Sequence, residues 1–338
     1  MRRVVPGLCF LALLLCSCSM GASEKLRGSW RKYTTVDGLI SNQVRKAMVD
    51  QAGNVWFATE QGVSVLTTDG DWKHYRVADG LGADDAWDVV IDRRGRVWVA
   101  TLGGGLGRFD GTAWKTFTSS NSNLPDDSAR RLAVDGGDNV WVASLGGLSV
   151  VNGDDTVTYI GWPFAGKHIL SGIAIDSLGH VWVVSWDEPF LVGYDPGSRQ
   201  WRVQQITDQV TLSFRHALQP DTWGIAADHE PGHLWIATNN IVEVQGDTWR
   251  VHLAGDRYKP TAAFVDSEGY KWFGVLGFGL GPGVVLISPD NRQWWYYRSG
   301  DPLCGIPQFD TIWSITSDLQ GNYWFATDSG AIQFVPAR

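Results

Sequence analysis

Cysteine is scarce in this chain. Of its 338 residues only four are Cys, and Cys9, Cys16 and Cys18 all fall near the start, which leaves Cys304 by itself. With no internal disulfide framework to draw on, the domain is expected to be held by its core. About 310 residues are ample for that. Long apolar runs are equally sparse: beyond residues 4–15, none approaches the roughly 20 residues of a membrane-spanning helix. Positive charge is thin as well. Lys and Arg total 28 against 36 Asp and Glu, a net charge of −8, and the basic residues are scattered. That argues against nucleic acid as a partner. Neither a Gly-x-Ser-x-Gly elbow nor a phosphate-binding glycine loop occurs, so no catalytic residue and no cofactor is assigned.

The first residues have the layout of an export signal. Arg2 and Arg3 precede the apolar run 4–15, which is too short to span a bilayer comfortably. The following Leu15-Cys16-Ser17-Cys18 resembles the lipobox of bacterial lipoproteins. The resemblance implies lipid attachment at Cys18, Cys16 being the poorer acceptor because bulky Leu15 would precede the cut. Ser19 stands where inner-membrane retention signals carry aspartate, which implies the outer membrane or the cell surface. The expected organisation is a lipoprotein-type signal over 1–18, a short tether over 19–28 and one domain over 29–338. From Cys18 to Trp30 the tether reaches at most about 40 Å.

What the chain has in excess is 19 Trp and 40 Gly, and aromatic density of this kind points to a repeat. A unit recurs seven times: a short apolar strand, Asp, a turn containing Gly, then an apolar residue and Trp. Its Asp and Trp pairs are Asp50 and Trp56, Asp92 and Trp98, Asp135 and Trp141, Asp176 and Trp182, Asp228 and Trp235, Asp266 and Trp272, and Asp318 and Trp324. Each Trp leads a second strand, usually a small-residue turn, and a third strand. A fourth segment begins with another aromatic, as in Trp72-Lys73-His74-Tyr75. Four short strands per unit of about 42 residues is one blade of a β-propeller. Asp bonding the turn amides, with Gly in the left-handed region, accounts for the motif without calcium.

The ends close the ring. The seventh unit stops after three strands, and Ser29-Trp30-Arg31-Lys32-Tyr33 matches the missing fourth. Pairing it into the last blade removes an open edge. The fold expected is all-β, a seven-bladed propeller with its N-terminal strand completing the last blade. The string Asp-x-x-Gly-Asn-x-Trp followed by a Gly-containing turn resembles the two-component regulator propeller repeats over essentially the whole span from Trp30 to Val335. In that family such repeats form the extracytoplasmic sensor half of hybrid kinases and also occur in stand-alone secreted proteins. No transmembrane helix, linker or kinase follows the propeller here, so the chain is not expected to be the signalling enzyme itself.

Propellers bind at the face where fourth-to-first and second-to-third connections emerge. The irregular segments fall in those connections, at 204–220, 277–283 and 299–308. Five residues before each repeat Asp stand Arg45, Trp87, Arg130, Ser171, Trp223, Thr261 and Trp313. Pleat alternation turns them toward the channel mouth. There, tryptophans would stack on sugar or flat rings, and arginines would hold carboxylates or phosphates. Trp186, in a second-to-third loop beside Asp187 and Glu188, extends this collar. The alternative is that the tryptophans wedge between blades while the arginines pair with Asp84, Asp85 or Asp127. His229-Glu230-Pro231-Gly232-His233 fits a zinc-protease string, but Pro and Gly break the helix it needs and it lies in a turn of the opposite face. No metal site is assigned. His168 and His216 lie near top-face connections without a carboxylate partner evident from spacing.

The expected function is a membrane-anchored, extracytoplasmic recognition or sensor-type propeller, with a glycan, a peptide or an envelope protein as partner. The alternatives are an enzyme similar to virginiamycin B lyase, also a seven-bladed propeller, and a rigid scaffold of an envelope assembly.

Overall fold

The structure is a computed structural model that describes residues 27–188, 190–206, 223–253, 258–277, 281–302 and 304–337. The leader with Cys18, most of the tether, His216 and most of the 204–220 connection lie outside the described residues.

Most second strands read as a nearly unbroken apolar run, Val-Trp-Phe-Ala-Thr at Val55–Thr59 or Val-Trp-Val-Ala-Thr at Val97–Thr101, and every residue in both is buried. A strand with sheets packed against both faces has no solvent side, so alternation disappears. Those runs seat seven four-stranded antiparallel sheets, one per blade. Blades one to six span 44–75, 86–117, 129–161, 170–205, 224–253 and 258–298. Blade seven combines 312–336 with Gly28–Tyr33. Among the described residues the only helical turn is Val77–Asp79. None of their helices is long and apolar enough to cross a membrane.

The repeat Asp organises each first hairpin. Asp50 Oδ1 accepts the Ala52 and Asn54 amides, both at 2.9 Å, and Gly53 takes φ 88°, a conformation that costs other residues strain. Asp50 Oδ2 also accepts Trp56 Nε1 at 3.0 Å. The same indole bond occurs at Trp98, Trp141, Trp182, Trp235 and Trp272, each at 2.9 Å. Trp98, Trp235 and Trp272 are wholly buried, a placement whose loss costs about 3–5 kcal/mol per Trp→Ala. The hydrogen bond lets the indole enter the core with its polar N–H satisfied.

The innermost strands fan out around the channel, and polar side chains bridge five of the seven junctions between them. Arg45 donates to Ala86 O at 3.2 Å and Arg131 Nε to Ser171 O at 2.7 Å. Thr261 donates to Ile312 O at 2.7 Å. Asp88 accepts the Leu132 amide at 3.0 Å, and Ser314 accepts the Ala47 amide at 3.4 Å. The other two junctions use glycine: a Cβ on Gly172 would meet Ile225 N at 3.2 Å, and one on Gly224 would meet Ala263 N at 3.2 Å.

The ring closes as its ends predict. Gly28–Tyr33 pairs antiparallel with the last strand, Gly330–Pro336, from Gly28 opposite Pro336 to Tyr33 opposite Ala331. Trp30 packs on Phe334 with centroids 4.4 Å apart, and Tyr33 stacks on Trp324 at 5.6 Å. Cys304 packs against the core shared by blades six and seven, and the chain's other three cysteines lie outside the described residues.

Candidate ligand-binding site at the channel mouth

The collar positions share one backbone device. In six innermost strands the register skips a residue: from Val44 to Lys46, Ala86 to Asp88, Ala129 to Arg131, Leu170 to Gly172, Pro260 to Ala262 and Ile312 to Ser314. The residues skipped are Arg45, Trp87, Arg130, Ser171, Thr261 and Trp313. A β-bulge re-aims the side chain it carries, and simple alternation did not reveal it. Blade five differs, because Trp223 sits just before its first strand, Gly224–Ala227, with its amide bonded to Ala237 O at 2.8 Å.

Five of these side chains meet. Arg45, Trp87, Ser171, Trp223 and Trp313 all line one cavity of about 80 Å³ in the channel. It has room for two or three waters and is well below the roughly 300 Å³ at which small-molecule pockets begin. A ligand would therefore rest on the mouth rather than enter the channel. Thr261 is not available to it, being buried and bonded to Ile312 O. A larger cavity of about 260 Å³ opens by the opposite-face turns of blades one and two. Of its polar lining residues, Asp50 and Asn54 are occupied within their own turn, while Thr67, Lys73 and Tyr75 also face it.

The mouth has two unlike halves. On one side Trp223 lies 5.9 Å from Trp313 and 5.1 Å from Trp186, which is 40% exposed, with Lys259 Nζ 4.7 Å from the Trp223 ring centroid. On the other, the Arg45 and Arg130 guanidinium groups lie 4.1 and 4.3 Å from the Trp87 ring centroid. Arg45 is ion-paired with Asp85, which also accepts Trp87 Nε1 at 3.3 Å. Burial lowers the Arg130 guanidinium below its ordinary pKa, and the neighbouring Arg45 charge adds to the shift while Asp85 opposes it. The other two acids considered from the sequence hold loops instead: Asp84 accepts the Val77 amide at 2.8 Å and Asp127 the Ser119 amide at 2.6 Å.

Sequence spacing missed the surroundings of His168. Its ring is buried, with Nε2 3.0 Å from Ala165 O and Nδ1 3.3 Å from Asp187 and 3.9 Å from Glu188. These carboxylates come from the next blade's second-to-third loop, so no local pattern could have paired them with His168. The zinc-type string is taken up structurally. His229 Nε2 bonds Asp266 O at 2.9 Å, while His233 Nε2 bonds Glu243 at 2.9 Å. Glu243 also takes His252 Nε2 at 2.7 Å. Burial disfavours the charged carboxylate, but the bonds from His233 and His252 outweigh it and hold Glu243 well below the usual range. Among the described residues no group of three His, Cys, Asp or Glu is arranged to hold a metal ion.

Three comparisons bear on this architecture. No family model matches the chain, and no curated protein matches it in sequence. Solved structures do. A virginiamycin B lyase from Staphylococcus aureus superposes with a TM-score of 0.70 at 16% identity, over 92% of this chain and 99% of the lyase. The extracellular domain of a hybrid two-component system from B. thetaiotaomicron gives a TM-score of 0.73 at 17% identity, over 91% of this chain and 41% of that one. YCF48 bound to a D1 peptide gives 0.67 at 11%, over 94% and 100%. The likeness is one of fold. At these identities it carries the seven-bladed ring and not the chemistry.

Proposed function

We propose that this chain is an extracytoplasmic recognition propeller of the sensor type, lipid-anchored at Cys18 in a bacterial envelope. It binds a glycan, a peptide or an envelope partner protein on its top face. The observation carrying this reading is that side chains from separate blades, each projected by a bulge or a strand start, converge on one opening. Supporting it, fold neighbours include extracellular domains of two-component systems and a propeller bound to a peptide. A thermal-shift panel of oligosaccharides, peptides and ring-shaped antibiotics tests the binding role. A ligand at a hundred times its Kd adds roughly 2.7 kcal/mol to stability. Mass spectrometry of the membrane-extracted protein tests the anchor: a diacylglyceryl group on Cys18, and release to the soluble fraction in C18A, are the expected results.

A second reading is lyase-like catalysis, favoured by His168 standing against Asp187 and Glu188. It calls for turnover of a ring-shaped substrate that H168A abolishes. Binding of such a substrate without turnover would remove this reading.

A further inference from the structure

Resting on the top-face reading, the geometry points to an anion-binding subsite at the channel mouth, where the Arg130 guanidinium, held over Trp87 beside Arg45, takes a carboxylate or phosphate group of the ligand.

The chain as a whole is acidic, with net charge −8, yet its channel mouth collects Arg45 and Arg130 over one indole, with Arg131 5.7 Å from the same ring centroid. The nearby acids are engaged. Asp85 pairs with Arg45 and accepts the Trp87 indole. Asp88 faces Lys46 at 4.0 Å and accepts the Val89 and Leu132 amides. Arg131 is occupied too, donating to Ser171 O and to Arg130 O. Arg130 differs from all of these. Among the described residues its side chain has no carboxylate within ion-pairing distance and donates no hydrogen bond, and its Nε is wholly buried without a partner.

A guanidinium in that situation is unfavourable for the fold on two counts. Its buried N–H forfeits water without replacement, and its charge faces a like charge with little solvent between. The cation–π contact with Trp87 offsets only part of this. Arg130 does not itself line the cavity but stands over Trp87, which does. A planar fork of donors left there without a protein acceptor matches the geometry of an oxyanion, which can accept two parallel N–H bonds and neutralise both cations. Arg130 would then be a binding residue retained at the expense of the unliganded protein's stability.

This arrangement predicts opposite effects of one substitution on stability and on binding. Wild-type protein, R130Q and R130M are melted at low salt, then titrated with inorganic phosphate and with glutarate against chloride of equal ionic strength. The expected result is that R130Q and R130M melt above wild type without anion. Phosphate, glutarate or both should raise the wild-type Tm beyond chloride, and the two variants should lose at least about tenfold in anion affinity. The arm that responds distinguishes a phosphate from a carboxylate. Variants that melt below wild type, or that respond to both anions as wild type does, would overturn the subsite. A panel ligand whose binding needs Trp87 and Trp313 but survives R130Q would remove the anion subsite and leave the collar standing. A panel in which nothing binds removes both.

Discussion

Trp141 Nε1 donates to Asp135 Oδ2 at 2.9 Å, tying the core indole of blade three to the turn that precedes it. The same carboxylate holds the Gly137 and Asn139 amides and the Asn139 side chain. Blade seven repeats the turn without the indole bond. Asp318 holds the Gln320 and Asn322 amides and the Asn322 side chain, while Trp324 Nε1 has no partner among the described residues.

That difference isolates the value of one hydrogen bond. D135A should destabilise the propeller by about 1 kcal/mol more than D318A, because only the first strands a buried indole N–H. Urea denaturation of the two variants measures it. Equal losses would mean that the indole bond contributes nothing beyond the turn.

Ring closure predicts a second asymmetry. W30A removes an indole packed on Phe334 and Phe325 and should cost about 2–3 kcal/mol. Deleting residues through Tyr33 should do more than lower Tm: it exposes the edge of Gly330–Pro336 to other chains. Light scattering during expression and refolding should show aggregation of the truncated chain but a monomeric W30A. A monomeric truncation would mean that the last blade tolerates three strands.

The fold was legible because its signals are local and repeated. The buried second strand is a contiguous run in every unit, and the unmatched strand at Ser29 to Tyr33 answers the gap at the other end. The Asp-to-Trp bond was within reach too, since the two residues stand six apart in six of the seven units. The collar residues were found by counting back from the Asp, but the reason they face inward was not. A bulge is a property of two paired strands, and one strand's pattern does not record its partner's register. His168 shows the same limit, because Asp187 and Glu188 reach it only through the packing of one loop on another. Asp85 was one of three acids considered for the arginines, and only the folded loops separate it from Asp84 and Asp127.

Glu243 gives the acid response a defined origin. Its carboxyl lies well below the ordinary glutamate range in the folded protein, so its contribution is fully present above the unfolded-chain pKa of about 4.3 and is lost as pH falls toward the folded-state pKa. The groups facing it are His233, His252, Arg250 and Asn291, with Lys271 and Asp228 behind His233. E243Q should cost roughly 2–3 kcal/mol at pH 7, since it leaves two histidines without their acceptor charge. The gap between wild type and E243Q should narrow below about pH 4. A gap that stays constant to pH 3 would assign the acid sensitivity to other carboxylates.

The collar at the channel mouth is where the ligand is proposed to sit. The most direct measurement is isothermal titration of a panel ligand into wild-type protein, the W87A/W313A double variant and H229A, a control in the turn on the opposite face. The expected result is at least about a tenfold loss of affinity in the double variant and wild-type affinity in H229A. Wild-type affinity in W87A/W313A with a loss in H229A would place the binding surface on the other side of the ring and contradict the collar.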